Sequence, residues 1–290
     1  MGMSRIKGLI YCLLVYSLTF AACYLIHLFL AKGQPVLTVV ILDLIATAIV
    51  FAFSLLANNS SVYDPYWSVV PPVIFTYWSL EVNEGSVLTG RQMLILFLVF
   101  LWGIRLTFNW IRRWRGLEDE DWRYVNFRNR FGRWYWPMSF LGLHLVPTLF
   151  VLLACIAVYP AIANPGPLSP IDSLAFLVTL AAIIIEWSAD RQLKRYLKDP
   201  GDNPFLSSGL WQYSRHPNYF GEVLFWTGLF MFSLGARPFT WWIIPGPAAM
   251  ILLFWFISLP MIDRRMLKRK AGYEEYMKKT SGIIPWKQRR

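Results

Sequence analysis

The sequence predicts an all-α, polytopic membrane helix bundle of seven or eight transmembrane helices. Of its 290 residues, 56% are hydrophobic and 17% aromatic, with fifteen tryptophans. Mean hydropathy is +0.43, more apolar surface than a water-soluble domain of this length can hide. The apolar residues gather into runs at 8–31, 36–57, 66–80, 92–111, 136–159, 171–187, 219–234 and 239–262, most of which meet the roughly 20 residues needed to span hydrocarbon. The runs at 66–80 and 219–234 are short, the pattern of re-entrant or broken helices that line a cavity.

Charge supplies the topology. The formal net charge is +11, a value that also suits a nucleic-acid binder, but the basic residues are interrupted by apolar spans and no nucleic-acid partner is expected. On an eight-helix path two basic residues lie in the head (Arg5, Lys7), seven in 112–133, five in 188–218 and ten in 263–290, so 24 of the 28 share one side. Lys32, Arg91 and Arg237 lie opposite, and Arg105 sits within a span. The positive-inside rule then places both termini and the large loops in the cytoplasm, the membrane being that of the endoplasmic reticulum or a bacterial inner membrane.

The first run follows Arg5 and Lys7, exceeds a signal-peptide core and ends in Leu30-Ala31-Lys32-Gly33 without a small-residue cleavage site, so it is expected to be retained. Gly2 is followed four positions later by Ile6 rather than a hydroxyl residue, which excludes a myristoylation signal. The first two helices are apolar apart from His27 and Asp43; a lone intramembrane acid is either a functional candidate or, near the outer end of its helix as Asp43 is read, a group that reaches interfacial water. Residues 58–66, Asn-Asn-Ser-Ser-Val-Tyr-Asp-Pro-Tyr, read as a polar cytoplasmic turn entering the short third segment. There Pro71-Pro72 is expected to break helical bonding and place Asp64 and Tyr66 at a cavity rim.

The fourth helix carries Arg105, Asn109 and Arg112 on one face, which suits an anion or an acidic helix. The following loop mixes seven arginines with Glu118-Asp119-Glu120-Asp121, Trp122, Tyr124, Phe127 and Phe131. It reads either as an interfacial loop anchored on lipid phosphates or as a lid over a phosphorylated cofactor. In the sixth helix Glu186, Asp190 and Lys194 recur every four residues and can satisfy one another. Cys12, Cys23 and Cys155 fall in apolar spans without metal or redox spacing, so they are expected as small buried hydrophobes and no metal is expected.

The densest polar cluster is Gln212-Tyr213-Ser214-Arg215-His216-Pro217-Asn218-Tyr219-Phe220-Gly221-Glu222, at the mouth of an apolar run. Polar groups there cost several kcal/mol unless paired, so the cluster calls for a resident ligand or a protein partner. No Gly-x-Gly-x-x-Gly, Walker loop, His-Glu-x-x-His or Gly-x-Ser-x-Gly is present. A cofactor must therefore be held by side chains. Arg105, Arg195, Arg215 and Arg265 are the candidates for its phosphates, and Tyr213, Tyr219 and Tyr276 for packing its ring. Such a site joins a water-soluble cofactor to an apolar substrate held among the helices.

The run Leu210–Glu222, with Tyr273-Glu274-Glu275-Tyr276 and Ile284-Pro285-Trp286, resembles the C-terminal signature of the steroid 5-alpha-reductase and sterol C14-reductase superfamily. Trp102-Gly103-Ile104-Arg105-Leu106, Glu120-Asp121-Trp122-Arg123-Tyr124 and Asp190-Arg191-Gln192 are similar to its DUF1295 branch. The resemblance implies a membrane enzyme that uses NADPH to saturate a carbon-carbon double bond of a hydrophobic, sterol-like or enone-like lipid. It implies Asn218 and Glu222 at the nicotinamide end, Asp190 and Arg195 on the preceding cofactor-contacting helix, and Arg215 and His216 completing the motif. By the same resemblance Asp64 and Tyr124 match the acid and tyrosine near the substrate carbonyl.

The related isoprenylcysteine and lipid methyltransferases share Arg-His-Pro-x-Tyr-x-Gly and bind S-adenosylmethionine. Asn218 at the variable position and Asp263-Arg264-Arg265 in place of paired tail glutamates favour the reductases. A nonenzymatic sterol-binding scaffold is the third alternative. The chain is expected to form one membrane domain over 1–290, with N-terminal helices and a cytoplasmic loop in 1–135 and the reductase-like region in 136–290.

A cysteine placed at Ser208 is expected to react with an impermeant thiol reagent only from the cytoplasmic side, since 24 basic residues would otherwise have to cross the membrane. Labelling from the outer side alone overturns the topology.

Overall fold

A computed structural model describes residues 3–30, 33–84, 87–164, 166–236 and 241–288. Gly2, Lys32, Pro165 and Arg237 lie outside them. The described chain is all-helical. Its elements are α1 Met3–His27, α2 Pro35–Leu56, a 3-10 turn Ser60–Tyr63, α3 Tyr66–Val82 and α4 Gly90–Arg113. Then come α5 Trp122–Phe131, α6 Tyr135–Ser139, α7 Val146–Ile156, α8 Tyr159–Ala163 and α9 Pro170–Lys198. The chain closes with α10 Pro217–Gly235, α11 Pro245–Leu252, α12 Leu259–Arg269 and α13 Tyr273–Lys279.

Among the described residues six stretches are long and apolar enough to cross a membrane: Ser4–His27, Pro35–Leu56, Gly90–Arg113, Trp122–Ala163, Pro170–Lys198 and Trp241–Arg269. The two short runs of the sequence became α3 and α10, outside those six. Two long spans contain π-helical turns, Phe140–Leu145 and Leu253–Ser258. Each is followed within two residues by Pro147 or Pro260. Proline lacks the amide that would continue the regular ladder, and a wider turn accommodates the break.

The chain divides into two compact units, Met1–Leu88 with Val99–Ala163, and Thr89–Leu98 with Asn164–Arg290. In the first, Asn59 accepts from Ser61 N and starts the 3-10 turn. Ser60, Ser61, Val62 and Tyr63 are all at most 1% exposed, so the stretch expected as a solvated turn is core. Its polar atoms are satisfied from the 117–121 segment: Ser60 N donates to Glu120 Oε1 at 2.9 Å and Asn59 Nδ2 to the Leu117 carbonyl at 2.7 Å. α3 was expected to break at Pro71-Pro72 but is assigned as one helix through both prolines. Their fixed φ is already helical, and the lost bonds are tolerated in a helix packed by neighbours.

In the second unit α9 and α10 form the principal helix pair. A Cβ on Gly221 would lie 2.8 Å from Glu186 Cβ, and one on Gly228 would lie 2.9 Å from Thr179 N. Two small residues seven apart face one neighbour and let the backbones approach closely. Elsewhere in this unit Arg91 and Asp172 form a buried bidentate pair at 2.7 and 3.0 Å. Asp172 also completes a capping box with Ser169 at the start of α9.

Gly228→Ala is expected to destabilise the protein by about 1–3 kcal/mol, the usual cost of overpacking, read as a lower midpoint of thermal unfolding in detergent. An unchanged midpoint would show that the α9–α10 seam can open without cost.

Candidate functional site

In the second unit the polar motif closes on the chain's own C-terminal segment. Ser214 Oγ donates to the Ile283 carbonyl at 2.7 Å, Arg215 N to the Ser281 carbonyl at 2.8 Å, and Trp286 N to the Tyr213 carbonyl at 2.9 Å. The hub is Asp263 of α12, 5% exposed. It accepts from Arg215 Nη2 at 2.7 Å, from His216 Nε2 at 3.0 Å and from the Tyr273 hydroxyl at 2.7 Å. Arg215 Nη1 donates in addition to the carbonyls of Thr280 and Met277, at 2.6 and 3.2 Å. The Tyr276 hydroxyl bonds the Trp211 carbonyl, and Tyr219 stacks on His216 with ring centroids 5.2 Å apart. Burial first, and then the bond to Asp263, raises the Tyr273 phenol well above its ordinary pKa, so it remains a donor.

Arg215 and His216, sequence candidates for a cofactor, are thus brought together as an internal clamp with one carboxylate. Asp263 itself was missed as a site residue. Its signal was an acid at the cytoplasm-assigned end of an apolar run, where a charge needs a partner.

The remaining candidates of this unit stand differently. Tyr213 and Arg195 are exposed, and Arg195 makes no ion pair among the described residues. Glu222 accepts from Trp226 Nε1 at 3.0 Å. Asn218 Oδ1 is buried with no hydrogen-bond partner among the described residues. An orphaned amide acceptor fits a group that donates, such as the amino group of a carboxamide. Asp190 lies on α9 and Arg265 on α12. Arg105 belongs to the first unit, on α4. No group of three His, Cys, Asp or Glu side chains suited to a metal occurs among the described residues.

In the first unit the Tyr124 hydroxyl donates to Asp64 Oδ1 at 2.6 Å, and Arg123 Nη2 lies 3.4 Å from the same oxygen. Burial pushes the Asp64 carboxyl up to about 6, against the pull of Arg123 and the Tyr124 hydrogen bond. These two sequence candidates are therefore paired with each other. Neither lines the unit's cavity, which has a volume of about 1560 Å³ and an apolar wall.

Three acids line it, Asp43, Glu81 and Glu84, and Asp43 shares the lining with Tyr66, Cys23, Ser68 and Thr107. The Tyr66 hydroxyl donates to Asp43 Oδ1 at 2.5 Å and lies 2.9 Å from the Asp43 carbonyl. Asp43 is 6% exposed and Tyr66 3%. Of the two residues expected at a cavity rim, Tyr66 lines the cavity and Asp64 does not. His27 lines it as well.

A family described as "Protein of unknown function (DUF1295)" matches residues 50–280. An uncharacterized protein of Schizosaccharomyces pombe is 24% identical over 286 residues, covering 89% of this chain and 81% of the relative. No solved structure matches.

Asp64 generates a pH prediction. Its folded value of about 6 lies above the ordinary 3.8, so its contribution to stability is present below about pH 4 and is lost as pH rises through about 6. The thermal midpoint should therefore fall across that window. Asp64→Asn should flatten the slope, and an identical slope in the variant would assign it to other groups.

Proposed function

The chain belongs to the DUF1295 family, and on that premise we propose that it is an integral-membrane reductase that uses NADPH to saturate a carbon-carbon double bond of a hydrophobic lipid. The observation that carries the reading is an acid and a phenol, hydrogen-bonded to each other, in the wall of an apolar cavity of about 1560 Å³. That volume exceeds the common range of small-molecule pockets and suits a lipid. A buried ionisable pair in such surroundings is costly without a task. Steroid 5-alpha-reductase superfamily membership is part of the proposal, supported by the motif Leu210–Glu222.

On this reading the cavity wall binds the lipid and excludes water. Asp43, with Tyr66 bonded to it, takes the place proposed from sequence for Asp64 and Tyr124 and polarises a substrate carbonyl as a neutral acid, because the pair lines the cavity. A negative oxygen developing in low dielectric gains strongly from one aligned donor. Asn218 and Glu222 hold the carboxamide end of the cofactor, where the orphaned Asn218 oxygen meets a donor. Exposed Arg195 and Tyr213, with Arg265, hold its phosphates and ring. Arg215 and His216 keep the motif in place through Asp263. NADPH, when bound, supplies the hydride.

The deciding assay follows deuterium from stereospecifically labelled NADPH into a panel of enone, sterol and enoyl lipids. Label is expected in one saturated product, and Asp43→Asn should cut the rate by roughly 10²–10⁴, the range for general acid catalysis. Arg195→Ala should weaken NADPH binding by about 1–3 kcal/mol. Methyl transfer from S-adenosylmethionine with no label in any product would replace the reading with a methyltransferase.

A further inference from the structure

Asp43 and Tyr66 do not stand alone. In the same unit Thr47 of α2 donates its hydroxyl hydrogen to the Tyr66 oxygen at 3.2 Å. Thr47 Oγ1 and Thr148 Oγ1 of α7 are 2.9 Å apart. Thr148 Oγ1 lies 2.6 Å from the Tyr63 hydroxyl, which also donates to the His144 carbonyl at 2.9 Å. Thr47, Tyr63 and Thr148 are at most 2% exposed, and Tyr63 and Tyr66 stack with centroids 4.9 Å apart. Four hydroxyls from four elements thus lead in sequence to one carboxyl oxygen.

Counting hydrogens sets the direction. Each hydroxyl has one. Because Thr47 gives its hydrogen to Tyr66, Thr148 must supply the one in the Thr47–Thr148 contact. Tyr63 must then supply the one in the Thr148 contact, shared with the His144 carbonyl. The Tyr66 hydrogen goes to Asp43 Oδ1, so the phenol has none left for a ligand. Asp43 Oδ2 has no hydrogen bond among the described residues, and Asp43 lines the cavity. A buried phenoxide at Tyr63 would be expensive, so the chain orients hydrogens and does not conduct them.

We propose that Tyr63, Thr148 and Thr47 are positioning residues that hold the Tyr66 hydrogen on Asp43 Oδ1, so that the neutral Asp43 carboxyl carries its own proton on Oδ2 and that Oδ2 hydroxyl, and not the Tyr66 phenol, donates to the oxygen of a bound lipid. The naming of that lipid oxygen rests on the reductase reading; the hydroxyl chain does not. Directed hydrogen bonds in a row polarise one another, so removing a distant hydroxyl reaches Asp43 through Tyr66. The ligand group that suits Oδ2 is a single carbonyl or hydroxyl oxygen on an otherwise apolar molecule.

The test uses the whole protein in detergent. The infrared carbonyl band of Asp43, identified by its loss in Asp43→Asn, is followed across a pH titration without ligand. The other titratable groups facing Asp43 are Cys23 on α1, Tyr63 and Tyr66, and Cys155 on α7. Thr47→Val is expected to move the band and shift its midpoint by about one pH unit, equivalent to roughly one hydrogen bond. Thr148→Val should shift it less in the same direction, Tyr66→Phe more, and Thr47→Ser should restore it. Thr179→Val, whose hydroxyl bonds only its own helix at Ala175, should leave it unchanged. A midpoint unmoved in Thr47→Val and Thr148→Val overturns the chain, even where thermal stability falls.

A second arm uses a cyclic enone lipid with a ¹³C-labelled carbonyl. Its band shift on binding should persist in Tyr66→Phe and vanish in Asp43→Ala, and the reverse pattern overturns the assignment of Oδ2. Should the enone not bind, the reductase reading fails and the assignment of Oδ2 to its oxygen fails with it, while the ligand-free titration still decides the hydroxyl chain.

Discussion

In a bundle whose solvent is hydrocarbon, a buried polar group must find its partner inside the chain, and most of the structure's detail follows from that constraint. It explains why Arg91 reaches Asp172 with both oxygens engaged, and why the buried 3-10 turn at 60–63 donates Ser60 N to Glu120 and pairs Ser60 Oγ with the Tyr135 hydroxyl. It also explains why one carboxylate, Asp263, collects three donors. Each of these arrangements joins segments far apart in sequence, so satisfying the polar group also fixes the path of the chain.

The Asp263 cluster changes the meaning of the motif around Arg215. A dense set of basic and phenolic residues is equally suited to a phosphate and to an internal carboxylate, since both are acceptors of charge-assisted hydrogen bonds. Here Arg215 is engaged by Asp263 and by two backbone carbonyls near the C-terminus. Removing either charged partner would leave the other buried and uncompensated, a more severe loss than the pair's net contribution suggests. The motif is in this respect architectural, and the groups left for a ligand are its neighbours: Asn218 with its orphaned oxygen, and exposed Tyr213 and Arg195.

The two acid–phenol pairs of the first unit make a related point. Asp64 with Tyr124 and Asp43 with Tyr66 share a chemistry and nearly a distance, 2.6 and 2.5 Å. What separates them is what lies beyond. Asp64 is adjoined by Arg123, which offsets its charge, whereas Asp43 lines an apolar cavity and has no arginine bonded to it among the described residues. A carboxyl in the wall of a lipid-sized space is suited to a ligand, and one closed by an arginine is suited to holding a loop.

Composition and run length alone determined that the chain is a helical membrane bundle, because spanning hydrocarbon requires long apolar helices whatever the tertiary arrangement. The sequence also marked α3 and α10 as exceptional, Asp43 as an intramembrane acid and 212–222 as a polar cluster. It could not say that residues 60–63 are core: the stretch 58–66 reads as a polar turn, and only partners at 117–148 satisfy its polar atoms once buried. Nor could it choose Asp43 over Asp64, or reveal Asp263 as the partner of Arg215 and His216, 48 and 47 residues away. Those choices depend on which side chains meet, and hydrogen-bond partners distant in sequence leave no periodicity to read; only the tertiary structure decides them.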